Sequence, residues 1–479
     1  MSETITTDLC VIGGGAAGLS VAAGAARLGV PVVLIERGAK DGVMGGDCLH
    51  TGCVPSKTLL ATANAAQAMR DATSLALPST DPKIDWRDVQ ARIRTTIATI
   101  APVDTIARYR AMGVHVIEAS ARFTGRDSLR AGDTIVRARR FVIATGATPV
   151  IPPIPGIETV RALTSETIFD VDALPSHLLI LGAGPIGLEL GQAFRRLGSA
   201  VTILEAGHPL ASEDEEMSRP PLDGLRRDGI ALHPHTAVQE AAAGEQGGVR
   251  LRLGRGGRSE WIAGSHLLLA VGRAPRIDDL SLEDAGVTFN KDGICVGADL
   301  RTTNRRIFAI GDVIDGPRYT HVGAHQAGLV LRSALFRLPA RFVPRAMPRV
   351  TYTQPQLAAV GLDEKAAQQK HRALRILRVP FADFDRAQTD GAPTGLLKIV
   401  ATPRGKVLGA AIVGDRADEL LTPWTLAVTG RLSLRDLAQM VVPYPTLSEA
   451  TRKAALDFYA PAFDRPLIRR VLRWLRQFG

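Results

Sequence analysis

One sequence pattern occurs twice in this chain of 479 residues and constrains its fold more than any other feature. In each copy, an apolar segment leads into glycines spaced as GxGxxG, then a helix-like segment, a second apolar segment and a glutamate. The copies run from Leu9 to Glu36 and from Leu178 to Glu205, and the glutamate follows the first glycine by 23 residues in both. Such glycines let the backbone approach a pyrophosphate, and the helix N-terminus stabilises its charge. The repetition predicts an α/β protein with two Rossmann-like dinucleotide-binding domains.

A pair of cysteines, Cys48 and Cys53, lies shortly after the first copy. In a regular helix, residues five apart have Cα atoms about 8–9 Å apart, whereas a disulfide requires roughly 4.4–6.8 Å. The segment must therefore bend, and Gly52 permits the bend. We expect Pro55 at the first helical position, so that Cys53 lies at a helix N-terminus with Lys57 one turn further on. Both features favour a thiolate.

This cysteine pair is typical of a redox-active dithiol placed beside a flavin. The alternatives are two buried structural cysteines or half of a zinc site, but zinc usually requires a second pair or histidines at set spacing, and none is adjacent. We therefore expect FAD at the first glycine motif, a nicotinamide dinucleotide at the second, and no metal site. The other two cysteines, Cys10 and Cys295, lie in apolar segments and are expected in the core.

Changes in composition and in strand pattern along the chain indicate where the domains begin and end. The proline-rich segment 149–156 is typical of a linker, and strand-like segments before Gly146 and Gly272 indicate crossings between the two nucleotide-binding domains. From about residue 348, short alternating strands mix with helices. We therefore predict an FAD-binding domain over residues 1–149 and 271–345, an NAD(P)-binding domain over 150–270, an α+β dimerisation domain over 346–464 and a basic amphipathic tail over 465–479.

Cysteine content and charge narrow the classes of function. Four cysteines are too few for an extracellular disulfide framework and fit a reducing cytosol. Neither a targeting segment nor a membrane-spanning apolar stretch is evident, so we expect a cytoplasmic protein. The net charge of +10 would suit nucleic acid or anionic lipid, but the basic residues are scattered except at the C-terminus. We therefore expect no nucleic-acid partner.

With these motifs in this order, the chain resembles the FAD-dependent pyridine nucleotide–disulfide oxidoreductases, the family of glutathione reductase, dihydrolipoamide dehydrogenase and mercuric reductase. The likeness covers nearly the whole chain and includes the cysteine segment, Gly311-Asp312, Thr353-Gln354-Pro355 and the segment from Tyr444 to Glu449. It implies a homodimer in which electrons pass from the nicotinamide through FAD to a disulfide between the paired cysteines.

The resemblance also implies a role for each site residue. Cys53 would contact the flavin, Cys48 would be the thiol that meets the acceptor, and Lys57 with Glu189 would form an ion pair beside the flavin. The alternative for this pair is two helix-surface charges. The implied catalytic set is Cys48, Cys53, Lys57, Glu189, Tyr444 and Glu449. The implied cofactor-binding residues are Gly13, Gly15, Gly18, Glu36, Gly46, Lys57, Ala144, Thr145, Gly146, Gly182, Gly184, Gly187, Glu205, Gly272, Gly311 and Asp312.

Tyr444 departs from the pattern of the disulfide reductases, which carry a histidine immediately before this proline. Glu449, which would orient that histidine, is retained. A phenol with a pKa near ~10 is a poor base at neutral pH, whereas an imidazole near ~6.5 is well matched. Tyrosine at this place resembles the mercuric reductases, whose soft metal acceptor needs no proton shuttle. The alternative is that Tyr444 only packs at the dimer interface.

Two further departures concern the ligands and bases available to the acceptor. Mercuric reductases carry another cysteine pair near the C-terminus, which this chain lacks, so only Cys48 and Cys53 would hold a soft metal. His50 occupies a place often held by asparagine. It would either replace the missing base or serve as a solvent-facing or capping residue.

The second glycine motif indicates which nicotinamide dinucleotide is used. The carboxylate of Glu205 would repel a 2′-phosphate, and no arginine follows it closely, so NADH is expected. His208 would accommodate a phosphate weakly, which leaves NADPH as the alternative.

Two charged segments remain. In the tail 465–479, apolar residues and arginines fall on opposite helical faces, which suits either an anionic membrane surface or packing on the protein's own dimer. The membrane alternative would make the protein peripheral at the inner membrane. The acidic run 212–216 is expected to be a capped, solvated helix start and not a metal site.

Together these features predict a homodimeric flavoenzyme that uses NADH to reduce a soft metal ion or a small disulfide through Cys48 and Cys53. One alternative is a dihydrolipoamide dehydrogenase with altered acid–base chemistry. The alternative of another class is a membrane-associated redox sensor or electron carrier.

Overall fold

The structure is a computed structural model that describes residues 3–244, 247–255, 258–463 and 466–478. The elements of the first segment are β1 (Thr4–Ile12), α1 (Ala16–Arg27), β2 (Val32–Glu36), α2 (Gly46–His50), α3 (Cys53–Arg70), α4 (Trp86–Ile100), α5 (Ile106–Ala111), β3 (Val114–Glu118), β4 (Ala121–Gly125), β5 (Ser128–Ala131), β6 (Thr134–Ile143) and β7 (Ala147–Pro149).

The middle of the chain begins with the second glycine motif and then returns to the first sheet. Its elements are β8 (Ala162–Leu163), β9 (His177–Leu181), α6 (Pro185–Arg196), β10 (Ala200–Leu204), α7 (Glu215–Arg227), β11 (Ala231–His233), β12 (Ala237–Ala243), β13 (Val249–Arg255), β14 (Arg258–Gly264), β15 (His266–Leu269), β16 (Arg273–Pro275), β17 (Phe289–Asn290), β18 (Gly293–Ile294), β19 (Ile307–Ala309) and α8 (Thr320–Ala334).

The last part of the chain forms a sheet of its own with flanking helices. Its elements are β20 (Arg349–Thr351), β21 (Gln356–Gly361), α9 (Glu364–Gln368), β22 (Arg375–Pro380), α10 (Asp385–Thr389), β23 (Leu396–Ala401), β24 (Val407–Gly414), α11 (Ala417–Leu420), α12 (Thr422–Val428), α13 (Leu434–Gln439), α14 (Glu449–Phe463) and α15 (Pro466–Leu475).

Three larger sheets organise these elements. In the first, strands β3-β2-β1-β6 are parallel, β19 pairs in parallel with β6, and β5 and β4 continue beyond β6 as antiparallel strands. The second has the order β11-β10-β9-β15-β8 and is parallel throughout. The third has the order β20-β21-β24-β23-β22 and is antiparallel throughout. Two Rossmann-like sheets and a C-terminal α+β part confirm the predicted fold class.

The core explains why the sequence forms parallel sheets. Residues 10–12 of β1, 141–143 of β6 and all of β19 are buried. Strands covered on both faces by helices carry continuous apolar residues instead of an alternating pattern. Helices α3 and α6, which begin at the cysteine segment and at the second glycine motif, pack against each other and bring the first two sheets together.

The acidic run at the start of α7 is only partly solvated. Asp214 caps the helix by accepting a hydrogen bond from the Glu216 backbone, 3.0 Å, so the predicted cap is confirmed. However, both carboxylates lie 2.7 Å from Nζ of Lys398, which also lies 2.9 Å from Glu364 and is only 5% exposed. The prediction of a solvated run therefore holds for Ser212 and Glu215, which are exposed, but is wrong for Asp214, because its ion pair with Lys398 joins the second sheet's domain to the third sheet.

The cluster around Lys398 has electrostatic consequences for its members. Burial opposes the charge of Lys398, but hydrogen bonds to the three carboxylates outweigh burial and raise its pKa. Arg378 donates to Glu216 at 2.7 and 2.8 Å. These hydrogen bonds, together with the one from Lys398, lower the pKa of the Glu216 carboxyl to about 2.

The last helix, α15, projects from the end of α14 with a largely exposed surface. Within the described residues, no helix is both long enough and apolar enough to cross a membrane.

Candidate active site

A cavity of about 1070 Å³ lies where the first glycine turn, the cysteine segment and the start of α6 meet. Most of the predicted site residues line it, namely Gly13, Gly15, Glu36, Gly46, Cys48, Cys53, Lys57, Ala144, Thr145, Gly146, Glu189, Gly272, Gly311 and Asp312. The remaining ones lie outside it, namely Gly18, Gly182, Gly184, Gly187, Glu205, Tyr444 and Glu449. The cavity is large enough for a dinucleotide and an acceptor.

The cysteine segment bends as its sequence requires. Helix α3 begins at Cys53, and a Cβ on Gly52 would lie 2.8 Å from the Asp47 carbonyl oxygen, so only glycine fits at the bend. Pro55 is the third helical residue, which corrects its predicted place at the first. Its missing N–H is still without cost there, because the first turn of a helix has no intrahelical acceptors for its N–H groups.

The two thiols have unequal acidities. A hydrogen bond from the Cys48 thiol lowers the pKa of Cys53 to about 6; the Thr320 hydroxyl and the charge of Lys57 add to this effect, and burial opposes it. The Thr320 oxygen lies 3.3 Å from the Cys53 sulfur. The same hydrogen bond, followed by burial, raises the pKa of Cys48. Near neutral pH, the reduced pair therefore holds one thiolate, on Cys53, and one thiol, on Cys48.

Lys57 and Glu189 form an ion pair at the junction of α3 and α6, with the Lys57 Nζ 2.7 Å from the Glu189 carboxylate. The other carboxylate oxygen accepts a hydrogen bond from the backbone of Tyr352, 2.9 Å, and the Lys57 ammonium lies 4.4 Å from the centre of the Tyr352 ring. Glu189 is buried, so this is not a pair of helix-surface charges. The pair fixes the Lys57 ammonium at the cavity wall, close to Cys53.

The glutamates that end the two glycine motifs accept equivalent backbone hydrogen bonds. Glu36 accepts hydrogen bonds from the backbone N–H groups of Gly14, 2.5 Å, and Gly38, 2.6 Å. Glu205 accepts them from the corresponding groups of Ala183 and Gly207, both 2.8 Å. The carboxylates are thus held at the ends of β2 and β10, where ribose hydroxyls would reach them.

Two kinds of glycine occur in these motifs. A Cβ on Gly18 or Gly187 would lie 1.9 or 2.0 Å from the carbonyl oxygen of the first glycine of its motif, so these two allow close packing within the protein. By contrast, among the residues that the structure describes, a Cβ on Gly15 would meet only the Gly46 Cα, at 4.0 Å, and one on Gly184 would meet no atom within 4 Å. Protein packing does not require glycine there. The missing side chains leave room for a ligand, and the turns fit dinucleotide pyrophosphates.

A cluster of charges beside the cysteines was not predicted as a site. Arg273 donates to the Asp47 carboxylate and to the Ala147 carbonyl oxygen, the latter at 2.6 Å. Arg276 lies 3.3 Å from Asp47 and 2.7 Å from Glu166. This cluster ties the cysteine segment to the crossings between the first two domains. Asp47 stands within the cysteine motif, but nothing in the sequence marks its partners.

Asp312 follows β19 and faces the same cavity. Burial raises the pKa of its carboxyl, while the nearby charges of Arg273 and Arg318 oppose this shift. The backbone N–H of the neighbouring Gly311 donates to the side chain of Gln326, 2.7 Å, which fixes the turn.

Tyr444 and Glu449 lie in the third domain, away from the cavity of the same chain. Tyr444 is 71% exposed, and its hydroxyl donates to the Asp385 carboxylate at 2.7 Å. The hydrogen bond to Asp385 and its negative charge raise the pKa of this phenol. Glu449 accepts a hydrogen bond from the backbone of Thr446, 3.2 Å. In the described residues, Asp385, not Glu449, is therefore the hydrogen-bonding partner of Tyr444.

The structure also defines the contacts of three residues that the sequence analysis discussed, namely His50, His208 and Cys10. Nε2 of His50 lies 2.7 Å from the Met44 carbonyl oxygen, a contact that requires this nitrogen to donate. Near Glu205, His208 packs edge-on against His235 with ring centres 4.3 Å apart. Cys10 is fully buried, in agreement with its expected place in the core.

Comparisons with known proteins agree with this geometry. A family model for pyridine nucleotide-disulphide oxidoreductases matches residues 7–327, and a model of that family's dimerisation domain matches residues 347–455. A mercuric reductase of Streptomyces lividans is 34% identical over 462 residues, which cover 94% of this chain and 96% of that protein. Dihydrolipoyl dehydrogenase 3 of Pseudomonas aeruginosa is 33% identical over 470 residues, which cover 95% and 99%.

Among solved structures, the Cu(II) complex of the HOCl-induced flavoprotein disulfide reductase RclA from Escherichia coli is similar, with a TM-score of 0.82 and 26% sequence identity. The likeness covers 94% of this chain and 99% of that one. The dimerisation-domain match supports the predicted homodimer. The chain therefore belongs to the pyridine nucleotide-disulphide oxidoreductase family and is an oxidoreductase that uses FAD and NAD(P)H.

Proposed function

We propose that this enzyme uses NADH to reduce a soft metal ion bound by Cys48 and Cys53. The observation that carries the proposal is Tyr444, whose hydroxyl proton is already donated to Asp385. Reduction of a disulfide acceptor requires a proton for each thiolate that leaves, and a phenol whose pKa is raised is poorly suited to cycle that proton. Reduction of a bound metal ion requires no such proton.

The chemistry balances without a further reactant. With Cys48 and Cys53 reduced, as they are in the structure, oxidation of one NADH to NAD⁺ and a proton supplies two electrons. FAD, when bound, would supply the means of carrying these electrons from the nicotinamide to a metal held by the two cysteines. Cys53 is ionised near neutral pH, since its pKa is about 6. Metal binding would then displace the remaining proton from Cys48. The two electrons reduce Hg(II) to Hg(0), and thiolates are the ligands that a soft ion prefers.

The positions of the cysteines limit how many thiolates could bind the metal. Within the described residues, Cys48 and Cys53 are the cysteines that line the cavity, while Cys10 is buried in the first sheet and Cys295 is half-buried just after β18. We therefore propose a site with two thiolates from one chain. Tyr444 of the second chain in a homodimer would contribute an oxygen at most.

The relatives support both metal and disulfide acceptors. Mercuric reductases and dihydrolipoyl dehydrogenases match at nearly equal identity, so identity alone does not separate the two acceptors. The similar RclA structure is a Cu(II) complex, which extends the class of metals worth testing.

The first experiment is NADH consumption by the purified holoenzyme with Hg(II) buffered by excess thiol, with Cu(II), and with oxidised lipoamide. We expect turnover with a metal and little with lipoamide. A Tyr444→His variant should gain lipoamide turnover, because an imidazole would then be available as the acid–base group. Tyr444→Phe is the matched control that removes the hydroxyl without adding a base. Fast lipoamide turnover by the wild type would refute the proposal and favour a dihydrolipoamide dehydrogenase.

NADH is proposed as the donor because the ribose-binding carboxylate of Glu205 is fixed by two backbone N–H groups. A fixed carboxylate cannot turn away from a 2′-phosphate. A lower Michaelis constant for NADPH than for NADH would contradict this preference.

The second candidate is a membrane-associated electron carrier, which the exposed helix α15 favours. In that case NADH turnover with the metal would be slow, and membranes or a quinone would accelerate it. Turnover that is fast and survives removal of residues 465–479 would exclude this candidate.

A further inference from the structure

Helix α15 exposes a continuous group of large apolar side chains. None of its residues is buried. Six large apolar side chains between residues 466 and 478 are 45–71% exposed, namely Leu467, Val471, Leu472, Trp474, Leu475 and Phe478, while Ile468 is half-buried. Single exposed apolar residues are common, but a contiguous group marks an interaction surface.

The two faces of α15 are cleanly separated. With about 100° of rotation for each residue, the apolar side chains of residues 467–478 cover an arc of about 160°, and the arginines cover most of the rest. The arginines are Arg469, Arg470, Arg473 and Arg476, and the segment 466–478 contains no acidic residue. Trp474 lies at the edge of the apolar arc and packs edge-on against Phe478, with ring centres 4.8 Å apart.

Two kinds of surface could cover the apolar face of α15, namely a second copy of the chain or an anionic lipid surface. The charge of the helix favours the lipid. A second copy that packed through the same helix would bring two sets of four arginines together, with no acidic residue in either segment 466–478 to pair with them. An anionic lipid surface offers both apolar depth for the leucines and negative charge for the flanking arginines. An aromatic ring at the boundary between the two arcs also suits the interface between lipid and water.

We propose that α15 binds an anionic lipid surface, with its apolar face inserted and its arginines at the headgroups. This inference does not depend on which acceptor the enzyme reduces. Each arginine near an anionic surface strengthens binding roughly fivefold, since about 1 kcal/mol corresponds to that factor. Binding should therefore be weak on neutral lipid and fall as salt is added.

The test is co-sedimentation of the holoenzyme with vesicles of phosphatidylcholine alone and of phosphatidylcholine mixed with phosphatidylglycerol. We expect binding to the mixed vesicles only. The double variant Leu472→Glu/Leu475→Glu should lose it, because two carboxylates would enter the apolar face. Arg470→Gln/Arg473→Gln should weaken it by roughly 25-fold, from the same factor for each arginine. The matched control is Arg404→Gln/Arg435→Gln, which removes the same charge from other parts of the chain and should bind like wild type.

Other outcomes would overturn the proposal. Absence of wild-type binding to mixed vesicles would reject it directly. If Arg404→Gln/Arg435→Gln lost as much vesicle binding as Arg470→Gln/Arg473→Gln, binding would depend on net charge and not on α15. If Leu472→Glu/Leu475→Glu changed the oligomeric state in light scattering while vesicle binding stayed absent, the apolar face would belong to an interface between copies. NADH oxidation measured in parallel shows that each variant is folded and separates this result from the identity of the acceptor.

Discussion

Removal of the Thr320 hydroxyl would test whether its contact with the Cys53 sulfur keeps Cys53 ionised near neutral pH. Replacing Thr320 with valine keeps the shape of the side chain and removes the 3.3 Å contact with the Cys53 sulfur. A hydrogen bond to a charged group contributes about 1.5–3 kcal/mol, which equals about 1–2 pH units. We therefore expect the pKa of Cys53 to rise from about 6 to between about 7 and 8.

The assay is the pH dependence of carbamidomethylation of the NADH-reduced holoenzyme, with Cys53 identified by tandem mass spectrometry. The thiolate is the reactive form, so the midpoint of the rate curve reports the pKa. At high pH the variant should react slightly faster than wild type, because a more basic thiolate is the stronger nucleophile. Thr320→Ser retains the hydroxyl and should keep the wild-type midpoint. An unchanged midpoint in Thr320→Val would refute the reasoning and leave Cys48 and Lys57 as the groups that stabilise the thiolate.

The charge cluster and the ribose-binding carboxylate give three further predictions. Lys398→Met should lower the free energy of unfolding by about 1.5–3 kcal/mol in urea titrations, because three partly exposed carboxylates lose their hydrogen bonds to a buried ammonium while Arg378 still pairs with two of them. A similar loss in the exposed control Lys406→Met would contradict this. The lowered pKa of Glu216, about 2 against 4.5, gives stability that is complete above pH 4.5 and is lost as the pH falls toward 2. Glu216→Gln should therefore flatten the acid limb of thermal unfolding, and an unaltered limb would count against it. Glu205→Ala should weaken NADH binding in calorimetry by about tenfold, the value of one hydrogen bond, and should leave NADPH binding unweakened. An equal loss of affinity for both dinucleotides would argue against the role assigned to Glu205.

Much of the fold could be predicted because its determinants are local in sequence. The glycines, the following helix and the glutamate of each motif lie within 28 residues of one another, from Leu9 to Glu36 and from Leu178 to Glu205. Their spacing alone specifies a strand, turn, helix and strand. The bend at Gly52 and a helix N-terminus close to Cys53 followed from the same kind of local chemistry, although α3 begins two residues before the start that was predicted at Pro55.

The parts that sequence could not supply depend on long-range contacts. Asp47 and Arg273 are separated by 226 positions, and no periodicity relates them. The acidic residue Asp214 meets Lys398 across 184 positions, and its run looks like any solvated helix start until the third sheet covers it. Likewise, Asp385 was not anticipated as the partner of Tyr444, since Glu449 is much closer in sequence. Ion pairs between domains leave no signature that one sequence reveals.

The matching contacts of Glu36 and Glu205 have a consequence for how the enzyme meets its cofactors. Each carboxylate is oriented by two backbone donors of its own domain, and each oxygen still has a lone pair available. A ribose can therefore add its hydrogen bonds without breaking any that exist. Because the protein's own backbone holds both carboxylates, little side-chain entropy remains to be lost when a ribose binds, which favours affinity at both nucleotide sites.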